Sequence, residues 1–260
     1  MNLSYWEIKS WFTNVDFTIV GSGIVGLSTA LFLREKYPKA NILILEKGFL
    51  PQGASTKNAG FACFGSLSEI IDDLKSHSEQ EVYELVKKRW DGLSLLRKTL
   101  GEKGIDFKQL GGYELFNETV IFEECFDKQD IINELLTPIF KEDVFFFEAN
   151  KFSFEKINEQ LAFNQFEGQI DTGKMMTALV QKVQSKGIKI LNNCTLESYS
   201  EQENSVKLKT NLGEFATKKL LIATNGFAKQ LLKLEVKPAR AQVLITKPIK
   251  NLSIKGTFHL

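Results

Sequence analysis

Three glycines, Gly21, Gly23 and Gly26, constrain this chain more than any other feature. They follow the apolar run Phe17-Thr18-Ile19-Val20 and open a stretch that leads to a second apolar run, Ile42-Leu43-Ile44-Leu45, with Glu46 directly behind it. The order reads as buried strand, tight turn, helix, buried strand and acid. Each part has a mechanical reason. Gly21 permits the turn out of the strand. Gly23 lets the backbone approach a pyrophosphate. Gly26 lets the helix pack close to the sheet. The helix start, from Ser22 through Ile24 and Val25, offers N–H groups and the positive dipole end to phosphates. Glu46 can accept hydrogen bonds from a ribose. An ordinary glycine turn needs neither the flanking strands nor the acid, so the pattern predicts a dinucleotide-binding βαβ unit.

The 260 residues suffice for one large domain or two intertwined ones. A content of 43% hydrophobic and 25% charged residues suits a soluble globular protein, and a formal net charge of +1 argues against an extended basic footprint for nucleic acid. Cys63, Cys125 and Cys194 are far apart and odd in number, which is neither a disulfide framework nor a metal-ligand spacing; the reducing cytoplasm is the expected location. The first residues lack the apolar core of a signal peptide, and no run approaches the roughly 18 apolar residues of a membrane span. Trp6, Trp11 and Phe12 either dip into a membrane or pack an N-terminal arm onto the domain; packing is the expectation.

Downstream, Gly48 to Gly60 reads as a loop. Leu67 to Leu100 carries apolar residues at helical spacing, ended by Gly101 and Gly104. Gly111 to Phe116 and Val144 to Phe147 suggest strands, and Thr119 to Phe140 contains helix. Asp171 is the expected N-cap of a helix with the stripe Met175, Met176, Leu179, Val180 and Val183, ended by Gly187. Ile188 to Leu191 reads as a strand, residues 194–217 as strands alternating with turns, and Lys219 to Ala223 as a separate buried strand. A βαβ start, a long insertion and a second α/β stretch predict a dinucleotide fold interrupted by another domain.

Four segments together resemble the D-amino-acid oxidase and dehydrogenase family of FAD-dependent oxidoreductases. They are Val20 to Gly26 with Glu46-Lys47-Gly48; Gly53-Ala54-Ser55-Thr56-Lys57-Asn58-Ala59-Gly60-Phe61; Gly168 to Leu179; and Ala223-Thr224-Asn225-Gly226. Lys237-Pro238-Ala239-Arg240-Ala241-Gln242 looks like a fifth, with Ala241 where the family usually has glycine. The resemblance implies an α/β fold: a Rossmann-like FAD-binding domain with a parallel sheet and a β-meander, interrupted by an α+β substrate domain. The implied parts are 1–75 and 165–232 for FAD, 76–164 for the substrate domain, and 233–260 as the start of a second substrate segment, which family members continue. It implies FAD held by Gly21 to Gly26, Glu46, Lys47, Ser55 to Gly60 and Thr224 to Gly226. It also implies a hydride taken from the CH–NH group of an amino acid or related amine, with oxygen or a redox carrier as acceptor.

Flavin chemistry needs no strong protein acid or base, and none stands out. His77 and His259 are the only histidines, and His77 reads as a solvated loop residue. Lys57 is either a cation near the phosphates or flavin, or a solvent-facing lysine. Ser55 and Thr56 are either phosphate or ribitol donors, or loop caps. Arg240 either binds a substrate carboxylate or braces the domain crossing. Tyr113 either faces a pocket or is a half-buried strand residue. Cys63 is expected to be a packed thiol rather than a flavin attachment point. Two other functions remain open: an FAD enzyme for a hydroxy acid or glycerol phosphate, and a non-catalytic FAD-binding remnant. An NAD enzyme would also use Glu46, but the Gly53 to Gly60 loop argues against it.

Overall fold

A computed structural model describes residues 3–232, 235–239 and 242–260. In chain order the elements are α1 (Tyr5–Trp11), β1 (Val15–Val20), α2 (Ile24–Lys36), β2 (Ile42–Leu45), β3 (Phe61–Ala62), α3 (Leu67–Leu74), α4 (Glu79–Leu100), α5 (Glu102–Ile105) and β4 (Gly112–Glu114). They continue with α6 (Thr119–Phe140), β5 (Phe145–Ala149), β6 (Gln160–Asn164), β7 (Gly168–Gln169), α7 (Thr172–Ser185), β8 (Lys189–Leu191), β9 (Leu196–Gln202), β10 (Ser205–Thr210), β11 (Gly213–Ile222) and β12 (Thr257–His259). The chain divides into two compact units, residues 1–59 with 172–244 and residues 60–171 with 245–260. The chain therefore passes between units at 59/60, 171/172 and 244/245, where the sequence placed the passages at 75/76, 164/165 and 232/233.

The first unit is a six-stranded sheet in the order β8-β2-β1-β11-β10-β9. β8, β2, β1 and β11 run parallel, and β11, β10 and β9 form an antiparallel meander. Ile42–Leu45 is buried throughout, as a parallel strand covered on both faces must be. Leu43 and Leu45 join Val15, Val20, Leu208 and Phe215 in one apolar cluster; the two-residue repeat turns Ile42 and Ile44 to the other face. There α2 packs on α7. The sequence ended its alternating strands and turns at 217 and read Lys219 to Ala223 as another strand. The structure has one long strand instead, because β11 serves both the meander and the parallel sheet. Trp11 and Phe12 pack on the meander cluster as expected, but Trp6 stays exposed on α1.

The second unit is a four-stranded sheet, β12-β4-β6-β5, with β12 parallel to β4 and the other pairs antiparallel. Helices α3, α4 and α6 share an apolar core with β5 and β6 that includes Phe64, Phe116, Phe140 and Phe145. The helical pattern over 67–100 is two helices, α3 and α4, with the His77 stretch as the loop between them. Ser66 with Glu69 and Ser78 with Glu81 each form a reciprocal capping box, and the second starts a new helix. Asn133 of α6 ties down β5: its side chain donates to Phe145 O (2.9 Å) and accepts from the N–H groups of Val144 (3.0 Å) and Phe145 (2.9 Å).

Candidate functional site

The first unit gathers the dinucleotide segments at one edge of its parallel sheet. Val20 is in register with Leu45 and Ile222, so Gly21, Glu46 and Ala223 all emerge at the carboxyl ends of neighbouring strands. That is where open α/β sheets bind ligands. Gly21 has φ +106° and donates its N–H to Leu45 O at 2.8 Å. A Cβ on Gly26 would lie 1.9 Å from Gly21 O, so helix and turn touch backbone to backbone. Gly23 differs. It is the N-cap of α2 in extended conformation, and a Cβ there would meet only the Ser55 side chain, at 3.0 Å. The space above Gly23 is thus a cradle that a side chain would fill.

The N–H groups of Val25 and Gly26 have no intrahelical acceptor. Ile24 donates to Ser55 Oγ at 3.0 Å, which leaves the Ser55 proton to donate elsewhere. The Glu46 carboxylate is part-buried and accepts from Ser22 N (3.0 Å), Ser22 Oγ (2.6 Å) and Gly48 N (2.9 Å). Lys47 beside it is exposed. Thr224 Oγ1 is buried with no hydrogen-bond partner among the described residues, next to the Gly21 turn. Asn225 has φ +48° and starts a 3-10 turn with Gly226, whose Cβ would meet Pro238 at 3.0 Å. A cradle over Gly23, free helix N–H groups, an accessible carboxylate and an orphaned hydroxyl suit a pyrophosphate and its ribose.

The Gly53–Gly60 loop opens with a 3-10 turn, Ala54–Thr56. Thr56 Oγ1 donates to Pro51 O and Gly53 O, both at 3.1 Å, so its proton braces the loop. Asn58 Nδ2 likewise donates to Ala54 O and Ser55 O at 3.1 Å. Lys57 and Ala59 are exposed. Gly60 is the first residue of the second unit; it has φ +79° and accepts from Ile170 N at 2.8 Å. Arg240 and Ala241 lie outside the described residues. A shallow depression of about 600 Å³, lined by Tyr37, Pro38, Lys39 and Lys218 among others, opens beside Asp16 and Phe17. It lies at the amino end of β1, away from the glycine turn, and none of the predicted residues lines it.

In the second unit Tyr113 is 5% exposed, ringed by Phe152, Phe163 and Phe258. Burial first, and then the charges of Glu167 and Glu69, push the Cys63 thiol up to about 11, which keeps it protonated and unreactive. His77 is exposed and bonds Ser76 and Asp73. Sequence reasoning missed two buried acids. Glu114 accepts from Ser66 Oγ (2.9 Å), Ser68 N (3.2 Å) and Ser68 Oγ. Glu167, 1% exposed, accepts from Thr257 Oγ1 (2.6 Å) and pairs with His259 Nε2 (2.7 Å). Burial opposes charge on His259, but the Glu167 hydrogen bond and the charges of Glu167, Glu114 and Glu69 outweigh it and raise its pKa. Among the described residues no cluster of His, Cys, Asp and Glu could hold a metal ion, and no helix is long and apolar enough to cross a membrane.

The sequence profile described as FAD dependent oxidoreductase matches residues 16–258. The chain belongs to this family. FAD is the family's cofactor, and the fold is its α/β fold. The bifunctional protein ThiO/ThiG of Synechocystis is 25% identical over 239 residues, covering 89% of this chain and 33% of that protein. Glycine oxidase from Geobacillus kaustophilus superposes with a TM-score of 0.63 at 18% identity, over 83% of this chain and 56% of that one. L-proline dehydrogenase from P. horikoshii does so with a TM-score of 0.60 at 22% identity, over 84% and 55%. L-amino acid deaminase from Proteus vulgaris gives 0.62 at 18% identity, over 83% and 48%. This chain therefore spans about a third of the curated relative and about half of each solved one.

Proposed function

We propose that this chain holds FAD for an oxidoreductase reaction in which a hydride is taken from the CH–NH group of an amino acid or related amine. The observation that carries the reading is the cradle over Gly23 beside the part-exposed Glu46 carboxylate. In this reading the N–H groups at the start of α2 and the Ser55 hydroxyl hold the pyrophosphate. Glu46 holds the adenosine ribose. Thr224 gives its orphaned hydroxyl to the same ligand, with Asn225 and Gly226 keeping the return segment close. Lys57 supplies a cation, and the small residues of Asn58-Ala59-Gly60 admit a planar ring. Lys47 adds charge beside Glu46. Bound FAD would supply the hydride acceptor. The protein's own work is to bind, orient and keep water out.

An amine substrate is supported by the names of the structural relatives, which act on glycine, proline and other amino acids. The test is the visible spectrum of the purified protein loaded with FAD, followed by anaerobic addition of amino acids and, separately, of hydroxy acids. Bleaching of the flavin band by an amino acid supports the reading. Bleaching by hydroxy acids alone moves the chain to the alcohol-oxidising branch, and loss of all flavin on desalting refutes the cofactor site.

A further inference from the structure

A carboxylate offers about four acceptor positions, two on each oxygen. On Glu46 both positions of Oε2 are taken by one residue: the Ser22 N–H at 3.0 Å and the Ser22 hydroxyl at 2.6 Å. Oε1 accepts from Gly48 N at 2.9 Å and keeps one position. Ser22 is fully buried, so its hydroxyl has no solvent alternative, and an ionised carboxylate makes it the donor. The backbone N–H groups of Ser22 and Gly48 each hold one oxygen; the Ser22 hydroxyl adds the shortest of the three bonds and takes the second position on Oε2, so that the one position left is on Oε1.

We propose that Ser22 is a positioning residue for the adenosine ribose: by filling Oε2 it fixes the Glu46 carboxylate and presents Oε1 to a ribose hydroxyl. This rests on the FAD reading above. It assigns the residue between the first two glycines a task that a turn does not require, since any small side chain fits a turn. Ser22 acts through Glu46, so its effect must vanish when Glu46 is gone.

The test is a double-mutant cycle on ligand affinity, read by flavin fluorescence for FAD and by calorimetry for ADP. S22A should weaken both ligands about tenfold, the low end for a lost charge-assisted hydrogen bond. In an E46A background the same substitution should change affinity by less than about twofold, because no carboxylate remains to position. Equal losses in both backgrounds would mean that Ser22 merely shapes the turn, and would overturn the proposal. So would unchanged or tighter binding by S22A, which would mean that the hydroxyl competes with the ribose. Wild-type protein that binds neither FAD nor ADP would remove the cofactor reading and this inference with it.

Discussion

Glu46 in the first unit and Glu114 in the second are held in nearly the same way. Each carboxylate accepts from two hydrogen-bond groups at one oxygen and one at the other, and serine supplies most of them. Glu46 is part-exposed at the open end of a parallel sheet, whereas Glu114 is 7% exposed and pins the start of α3 to β4. The pair teaches that the number of bonds to an acid does not reveal its role. What would separate Glu46, as the proposed ribose acid, from Glu114 as a scaffold acid is whether its last acceptor position can be reached.

The largest effect that tests this contrast comes from the glycines. Gly26→Ala should cost about 3 kcal/mol or more, since its Cβ would sit 1.9 Å from a backbone oxygen that cannot move aside. Urea unfolding would show it as loss of the native baseline. Gly23→Val should leave that curve nearly intact and abolish FAD binding, because its side chain enters the cradle. Tight flavin in Gly23→Val would misplace the site. Next, Glu114→Gln keeps one acceptor oxygen for the two serine hydroxyls but sets an NH2 donor against the Ser68 N–H and removes the charge, for a loss of about 1–3 kcal/mol in urea with unchanged FAD affinity in the folded fraction. Glu46→Ala should do the reverse, weakening FAD by about ten- to a hundredfold, or ~1.5–3 kcal/mol, with little change in unfolding. Equal signatures for the two acids would dissolve the distinction.

The smallest effect concerns pH. His259 has a raised pKa in the folded state, so it binds its proton more tightly folded than unfolded. Its contribution is complete below the ordinary value of 6.5 and is lost as pH rises through the higher folded value. Urea midpoints should therefore fall across that window in the wild type, and His259→Gln should flatten this part of the profile. A wild-type midpoint that rises there would mean that the Glu167 pair does not hold β12.

The opening βαβ unit was legible because its signal is local. Three glycines, two apolar runs and one acid fall within about 30 residues, the span of a βαβ unit. The capping boxes of Ser66 with Glu69 and Ser78 with Glu81 are equally local; the sequence marked the His77 stretch as a loop between helices without the caps that bound it. The buried acids of the second unit left no such trace. Glu167 meets partners 90 and 92 positions away, and Glu114 meets partners 46 and 48 away. Only the fold brings those residues together. Ser22 was visible as a turn residue, but its hydroxyl's bond to Glu46 needs the strands in register.

The double duty of β11 has a consequence for how the protein is made. β1 can meet β2 soon after both leave the ribosome, but its other neighbour pairs Val15 with Thr217, and the whole of residues 60–171 lies between them. Closing so long a loop adds only modestly to its entropic cost, yet such non-local pairing is slow. Until Ile222 is synthesised, one flank of β1 is an open edge able to pair with a neighbouring nascent chain. The edge where Gly21, Glu46 and Ala223 emerge together is then complete only late in synthesis, so if FAD binds there as proposed, it acts on a late intermediate rather than guiding the early chain.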